Sequence, residues 1–286
     1  MTDPLDADRL LALLAGTPWG PVAVVGRTGS TNADLSAALR SGRSQAGAVV
    51  VAAEQSAGRG RLDRAWSSPG GKSVALSAAV RPPAAARWSL LPLVAGLAVA
   101  DAVAELGATP ELKWPNDVLI AGRKVCGVLA ETCPVAAGLV AVVGIGLNVS
   151  QGADELPFPD ATSLALEGVA ASRERAAAAV LGHLSRHLAQ WGAGEPVVDR
   201  YRARSATLGR AVRLTLAPGR AVTGVATGLA PDGRLGVTVD GVEAWFAAGD
   251  VRHLRPTTSD AALAEGRGAQ SLQGCPESGE GRPEPI

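Results

Sequence analysis

The stretch Glu54-Gln55-Ser56-Ala57-Gly58-Arg59-Gly60-Arg61-Leu62-Asp63-Arg64-Ala65-Trp66 alternates two glycines with two arginines and adds a third arginine three residues on. Glycine lets backbone N–H groups approach a ligand closely. Arginine offers a planar, permanently charged fork for phosphate or carboxylate oxygens. Together they suit a segment that grips an anion and then covers it, although a solvated basic turn is the plain alternative. The pattern matches neither the Gly-x4-Gly-Lys-Ser/Thr phosphate loop nor a Gly-x-Gly-x-x-Gly helix start. Three further blocks carry chemical potential. Gly29-Ser30-Thr31-Asn32 precedes a helical run, where hydroxyl and amide side chains either cap the helix or present donors and acceptors to a polar ligand. Lys113-Trp114-Pro115-Asn116-Asp117 reads as a turn ahead of a hairpin bearing Lys124 and Gly127, and Gly144-Ile145-Gly146-Leu147-Asn148 ends a strand. Lys occurs only at 72, 113 and 124 among the 27 basic residues, and Asn only at 32, 116 and 148. All three Asn and two of the three Lys therefore fall inside these blocks.

The elements that must position the blocks follow from periodicity and punctuation. A short amphipathic helix within residues 1–20, a strand at 22–25 and a helix at 33–40 open the chain. The apolar run 48–53 reads as a buried strand leading into the Arg-Gly segment, with a turn at 67–71 and a strand at 73–80 beyond it. Residues 88–106, interrupted by Pro92, Gly96, Asp101 and Glu105, read as a packed helix rather than a membrane span. The hairpin 118–120/124–131 places Lys124, Cys126 and Val128 on one face and Gly127 and Glu131 on the other if period-2 alternation holds. A strand at 139–143, a polar loop at 151–162 and an Ala-rich helix at 172–191 follow. That helix carries His183 and His187 at i, i+4, a spacing that can bind a metal, yet no Glu-x-x-His context accompanies it and surface or packing histidines are expected. From 208 onward, short strand-like runs punctuated by Pro218-Gly219, Asp232-Gly233 and Asp240-Gly241 read as a small antiparallel barrel. The expected organisation is a domain at 1–205, a second at 206–256 and a disordered tail at 257–286, rich in Gly, Pro, Ser and Glu.

Composition narrows the function. With 286 residues, 47% hydrophobic and 19% charged, the chain can bury a substantial core. Equal numbers of basic and acidic residues, 27 each, give no global field for nucleic acid. Three cysteines (Cys126, Cys133, Cys275) form no Cys-x-x-Cys pair and no disulfide framework. No basic region followed by an apolar core opens the chain, so a cytoplasmic location is expected.

The four blocks in this order, with Arg64 and Trp66 beside the second, resemble those of the biotin–protein ligases, over roughly residues 22–255. The resemblance implies an α+β fold: a class II synthetase-like catalytic domain with a mixed or antiparallel sheet and flanking helices, plus a small C-terminal SH3-like β-barrel. It implies ATP-dependent activation of biotin to biotinyl-5'-AMP, then transfer to a lysine of a biotin carboxyl carrier domain of acyl-CoA carboxylases. Carried over residue by residue, it implies catalytic cations at Lys124, Arg59, Arg61 and Lys113. Biotin would be held by Ser30, Thr31, Asn32, Gln55, Gly58, Arg59, Gly60, Arg61, Lys124 and Gly127. ATP would contact Arg59, Arg61, Arg64, Trp66, Lys113, Asn116, Asp117, Lys124 and Asn148, with Asp117 a candidate Mg²⁺ ligand. Residues 58–64 would form a lid over the adenylate. Leu62-Asp63 depart from the family's loop, which often has Gly between its second and third arginines, and an acid there needs an arginine partner. Lipoate–protein ligase shares the same two-step logic. A biotin-responsive repressor is disfavoured because fewer than thirty residues precede Ser30 and no basic recognition helix appears, so no DNA partner and no membrane partner are expected. A binding module without catalysis is disfavoured by the presence of both Lys113 and Lys124.

Overall fold

The computed structural model describes residues 5–61, 64–68, 70–83, 85–217 and 219–254, without the side chains of 65, 67, 85–87 and 217. Leu62-Asp63, Arg255 and the segment 257–286, for which disorder was expected, lie outside these residues. Helix α1 (Ala7–Leu13) is capped by Asp6, whose carboxylate accepts from Arg9 N at 2.9 Å. Strand β1 (Val22–Thr28) runs parallel to β2 (Val49–Arg59), and α2 (Thr31–Arg40) connects them. All other described pairings in the first sheet are antiparallel, so the sheet is mixed. Its order is β1-β2-β4-β8-β7-β6-β5, with β4 spanning Ser73–Val80, β5 Pro110–Lys113, β6 Asp117–Ile120, β7 Arg123–Val135 and β8 Gly138–Asn148. A short β3 (Ala65–Ser68) pairs with the far end of β2, where a turn was expected at 67–71.

Helices cover both faces of this sheet. α2 lays Leu35 and Leu39 on one face against Val50, Ala79, Val140 and Val142. On the other face, α3 (Leu91–Glu105) follows a 3-10 segment (Ala85–Leu90) and packs against α4 (Arg173–Gly192). α3 is apolar all round, and such a helix is stable only when enclosed. Eleven of its residues are buried, each large aliphatic contributing about 1.5–3 kcal/mol. The span Trp88–Glu105 is long and apolar enough to cross a membrane, but 67% of it is buried inside the protein. This is a core helix, as its interrupting polar residues indicate.

The second sheet is the antiparallel meander β9 (Ala211–Ala217), β10 (Arg220–Leu229), β11 (Leu235–Val239) and β12 (Val242–Phe246), with β13 (Asp250–His253) returning to pair with β9. Val212, Leu214, Ala226, Leu235, Val237 and Val251 form its buried side. Residues up to His253 make one compact unit. Trp114, buried, fastens the β5–β6 turn to the second sheet by donating from its indole to Gly233 O at 2.9 Å. A short α5 (Val197–Arg202) leads from α4 toward β9, and Arg204 O and Leu112 O accept from Leu112 N and Ala206 N, each at 2.8 Å.

Candidate active site

One cavity gathers the four blocks around the ends of β2, β7 and β8. At one end lies a neutral network. Ser30 caps α2, its Oγ accepting from Ala33 N at 3.4 Å, so the helix begins at Thr31, two residues earlier than its apolar spacing implied. Gln55 Oε1 accepts from Thr31 N at 2.9 Å and lies 3.1 Å from Thr31 Oγ1. Ser77, on the neighbouring β4, reaches Thr31 Oγ1 at 2.7 Å and Asn32 Oδ1 at 2.6 Å. Asn32 Nδ2 donates to Glu131 Oε2 at 2.6 Å, and Arg59 donates to Glu131 Oε1 at 3.1 Å. Apart from the half-buried Glu131 and the exposed Arg59, these side chains are buried. Glycines make room for them. A Cβ at Gly144 would lie 2.4 Å from Asn32 Oδ1, one at Gly146 2.2 Å from the Trp66 ring, and one at Gly58 1.9 Å from Gln55 Nε2.

At the other end the groups are charged. Asp117, 9% exposed, faces Lys124 at 2.5 Å and Lys113 at 3.5 Å. Lys124 Nζ also stands 5.4 Å from the Trp66 ring centroid, within cation–π range. Lys124 does not share a face with Cys126 and Val128, as unbroken alternation implied. The β6–β7 pairing slips between Val118↔Cys126 and Leu119↔Lys124, leaving Val125 as the extra residue of a bulge. Val125 and Cys126 are consequently both buried, and Lys124 turns to the cavity beside Gly127, whose Cβ position is 3.3 Å from Nζ. The loop at 151–162 fixes this turn: Lys124 N donates to Asp160 O and Thr162 N to Lys124 O, each at 2.8 Å.

The Arg-Gly segment is not a free loop. β2 continues through Arg59 and pairs with β3 (Gly58↔Trp66, Arg59↔Ala65), and Gly60 N donates to Arg64 O at 2.6 Å. The segment is therefore the tip of a hairpin. Arg64 pairs with Asp250 of β13 at 2.5 Å. Burial lowers the Arg61 guanidinium from its ordinary value, opposed by the carboxylates of Asp117 and Asp250.

Of the residues expected at the site, Ser30, Thr31, Asn32, Gln55, Arg59, Gly60, Arg61, Arg64, Trp66, Asn116, Asp117, Lys124, Gly127 and Asn148 line the cavity. Gly58 and Lys113 lie behind that lining, Gly58 under Gln55 and Lys113 against Asp117. Asn116 braces the turn, donating from Nδ2 to Val128 O at 2.6 Å. Asn148 donates to Thr162 O at 2.9 Å and accepts from Gln151 at 3.0 Å. Both amides thus brace the backbone at the cavity edge. Sequence reasoning missed Ser77, Phe158 and Asp250, and gave Glu131 only a strand face. Ser77 and Asp250 carry no local signature because they arrive through long-range pairing.

The histidine pair belongs elsewhere. His187 contacts Asp101 at 2.6 Å and His183 contacts Glu105 at 2.8 Å, clasping α4 to α3. Asp101, His183 and His187 bring ligand atoms within 4.8 Å of one another. Arg186, which can only donate, approaches His183 Nδ1 at 3.2 Å and so leaves the proton on Nε2, directed at Glu105. Burial alone would raise the Asp101 carboxyl, but hydrogen bonds from His187 and Arg204 hold it below its ordinary value. Burial likewise lowers His187, against the pull of Asp101. Of the two roles expected, surface or packing, these buried contacts are packing.

Comparison with known proteins places this geometry. The model described as "Biotin/lipoate A/B protein ligase family" matches residues 24–148, and that of the "Biotin protein ligase C terminal domain" matches 207–254. A biotin–[acetyl-CoA-carboxylase] ligase from Mycobacterium tuberculosis is 46% identical over 88% of this chain and 97% of its own length. The bifunctional ligase/repressor BirA of Escherichia coli is 30% identical over 86% of this chain and 77% of its own. Among solved structures, a biotin protein ligase from Aquifex aeolicus in complex with biotin and ATP superposes with a TM-score of 0.69 at 27% identity, covering 83% of this chain and 100% of that one. The chain is a member of the biotin protein ligase family, and its fold is theirs.

Proposed function

We infer that the chain activates biotin with ATP to biotinyl-5'-AMP and transfers the biotinyl group to a lysine of a carrier protein. It is a biotin–protein ligase. The observation that carries this is the meeting, in one cavity, of a buried neutral network and the Lys124–Asp117 pair, with Lys113 behind it on Asp117. A cyclic urea needs neutral donors and acceptors at one end, and a carboxylate meeting a phosphate needs cations at the other. A lipoyl ring carries no N–H or carbonyl to meet the polar groups that Thr31, Asn32 and Gln55 present to the cavity, a costly mismatch.

In the first step a biotin carboxylate oxygen attacks the α-phosphorus, forming an O–P bond as the bond to pyrophosphate breaks. Lys124, Arg61 and Lys113 offset the negative charge brought together there, and Arg59, paired with Glu131 in the unliganded site, would join them only on leaving that carboxylate. Asp117, now facing two ammonium groups, is suited to the Mg²⁺ of the nucleotide once those lysines turn to phosphate oxygens, and that ion would add charge neutralisation. The hairpin tip carrying Gly60, Arg61 and Arg64 is suited to exclude water from the mixed anhydride. In the second step the carrier amine attacks the acyl carbon, AMP leaves, and the amine proton passes to solvent. No enzyme nucleophile is needed, and burial pushes the Cys126 thiol far above its ordinary value. We take 1–205 as the catalytic domain and 206–256 as the second domain, and place the enzyme in the cytoplasm with a carboxylase biotin-carrier domain as partner.

The test is incubation with such a carrier domain, ATP, Mg²⁺ and biotin, read by mass spectrometry. A single biotinyl addition on one lysine that requires ATP is the expected result. A carrier of unchanged mass, with the enzyme folded, would overturn the reading.

A further inference from the structure

We propose that Glu131 is a positioning residue that fixes the direction of the hydrogen-bond chain at the urea end of the cavity and ties Arg59 to it. The inference rests on the biotin reading and deepens it. Counting protons sets the direction. Both Glu131 oxygens receive donors, Arg59 at 3.1 Å and Asn32 at 2.6 Å, so the carboxylate acts purely as an acceptor. Asn32 must therefore turn its Nδ2 toward Glu131, which leaves Oδ1 facing Ser77 Oγ at 2.6 Å. An amide oxygen only accepts, so the single Ser77 proton goes to Asn32. The 2.7 Å contact between Ser77 and Thr31 then needs the Thr31 proton. That leaves the longer 3.1 Å approach of Thr31 Oγ1 to Gln55 Oε1 without a hydrogen, while Gln55 Oε1 keeps its bond from Thr31 N.

The chain runs Thr31 to Ser77 to Asn32 to Glu131, every donor pointing toward the carboxylate. Its far end is Thr31, a residue of the cavity lining whose Oγ1 still has a lone pair to be filled. A urea N–H is a donor of the class that end accepts. Asn32 cannot rotate away to relax the chain, because Gly144 backs its amide with no space for even a methyl group. Reversing the acceptor at Glu131 would reverse the preference at Thr31 and set it against the ligand. The same carboxylate holds Arg59, at the end of β2, on the urea side of the site. Binding at one end and placement of the hairpin arginine thereby share one anchor.

The test is a polarity swap read by biotin-dependent pyrophosphate exchange, with KM for biotin and for ATP measured separately. Glu131→Gln keeps the shape but sets an N–H against either Asn32 or Arg59. Asn32→Asp sets two carboxylates face to face. Each alone is expected to raise the biotin KM about tenfold or more, with the ATP KM changed less than about threefold. The double variant combines Asn32→Asp with Glu131→Gln. Its new amide at position 131 can donate to the new carboxylate at position 32 while still accepting from Arg59, and Ser77 can still donate to that carboxylate. Recovery of the biotin KM to within about threefold of wild type is the predicted result. A double variant as impaired as the worse single, or a Glu131→Gln enzyme with an unchanged biotin KM, overturns the role. Melting temperatures of the four proteins separate loss of fold from loss of polarity, and if a swap variant fails to fold, the biotin-against-ATP KM split of Glu131→Gln decides alone. Absence of biotin-dependent exchange in the wild type would instead overturn the proposed function.

Discussion

The two ends of the cavity are held by different means. At the neutral end, Thr31, Asn32, Gln55 and Ser77 are buried and bonded to one another, and glycines at 58 and 144 are shaped around them. At the charged end, three of the cations lean on a carboxylate of the protein: Lys113 and Lys124 on Asp117, Arg64 on Asp250. Side chains there remain partly exposed, 32% for Lys124 and 60% for Arg64. Neutral groups must be organised in advance, since a buried unpaired donor or acceptor costs about 1–3 kcal/mol. An exposed pair such as Arg64–Asp250 contributes roughly 0–1 kcal/mol and can be exchanged for a ligand's phosphates at little cost, whereas the buried Asp117 releases its lysines only as another cation takes their place. The difference teaches that recognition is built into the folded state while the catalytic cations are parked on internal counter-ions.

Four substitutions would break or sharpen this contrast. The largest effect is expected from Lys124→Ala, which should lower adenylate formation by roughly 10²–10³-fold with the fold intact. Near-normal single-turnover rates would remove Lys124 from the chemistry. Gly144→Ala comes next: the new methyl group must displace Asn32, and the biotin KM should rise about tenfold, equivalent to roughly 1.4 kcal/mol. A fall in kcat at constant biotin KM would show that the neutral end is not the recognition end. Arg61→Ala should release biotinyl-adenylate to solvent several-fold faster, by order of magnitude what losing one charge-assisted contact allows, as followed by chromatography of the free intermediate. Unchanged retention would count against the hairpin tip as a cover.

The smallest effect concerns pH. Burial, with repulsion from Lys113 and Arg210 and against attraction from Asp117, lowers His253 to about 4 from an ordinary 6.5. The unfolded chain therefore takes up a proton between these values that the folded chain refuses, so stability is lost as pH falls through this window. His253→Gln should flatten that part of the curve of melting temperature against pH. An unaltered slope would assign the acid sensitivity to other groups.

Much of this was legible in the sequence, and the exceptions share a cause. The apolar continuity of 88–106 announced a buried helix, and the Asp-Gly turns marked the meander after 208, whereas Pro218 lies outside the described residues. The four blocks announced the cavity because each sits at the end of a strand or the start of a helix. Lys124 was assigned to the wrong face because a bulge is a property of the pairing between two strands, invisible in the alternation of either one. The Arg-Gly segment read as a loop because glycine weakens strand propensity, whereas its pairing with β3 comes from residues on the other side of a turn. Ser77, Glu131 and Asp250 reach the site across the sheet or from β13, and no local pattern distinguishes them from surface or core neighbours.

The most direct test of the account is exchange of labelled pyrophosphate into ATP, with biotin and lipoate compared as the only added carboxylates. A preset urea-binding end joined to movable cations predicts exchange with biotin and none with lipoate. Exchange supported by lipoate and not by biotin would contradict it, since the buried network would then have no partner in the substrate the enzyme actually uses.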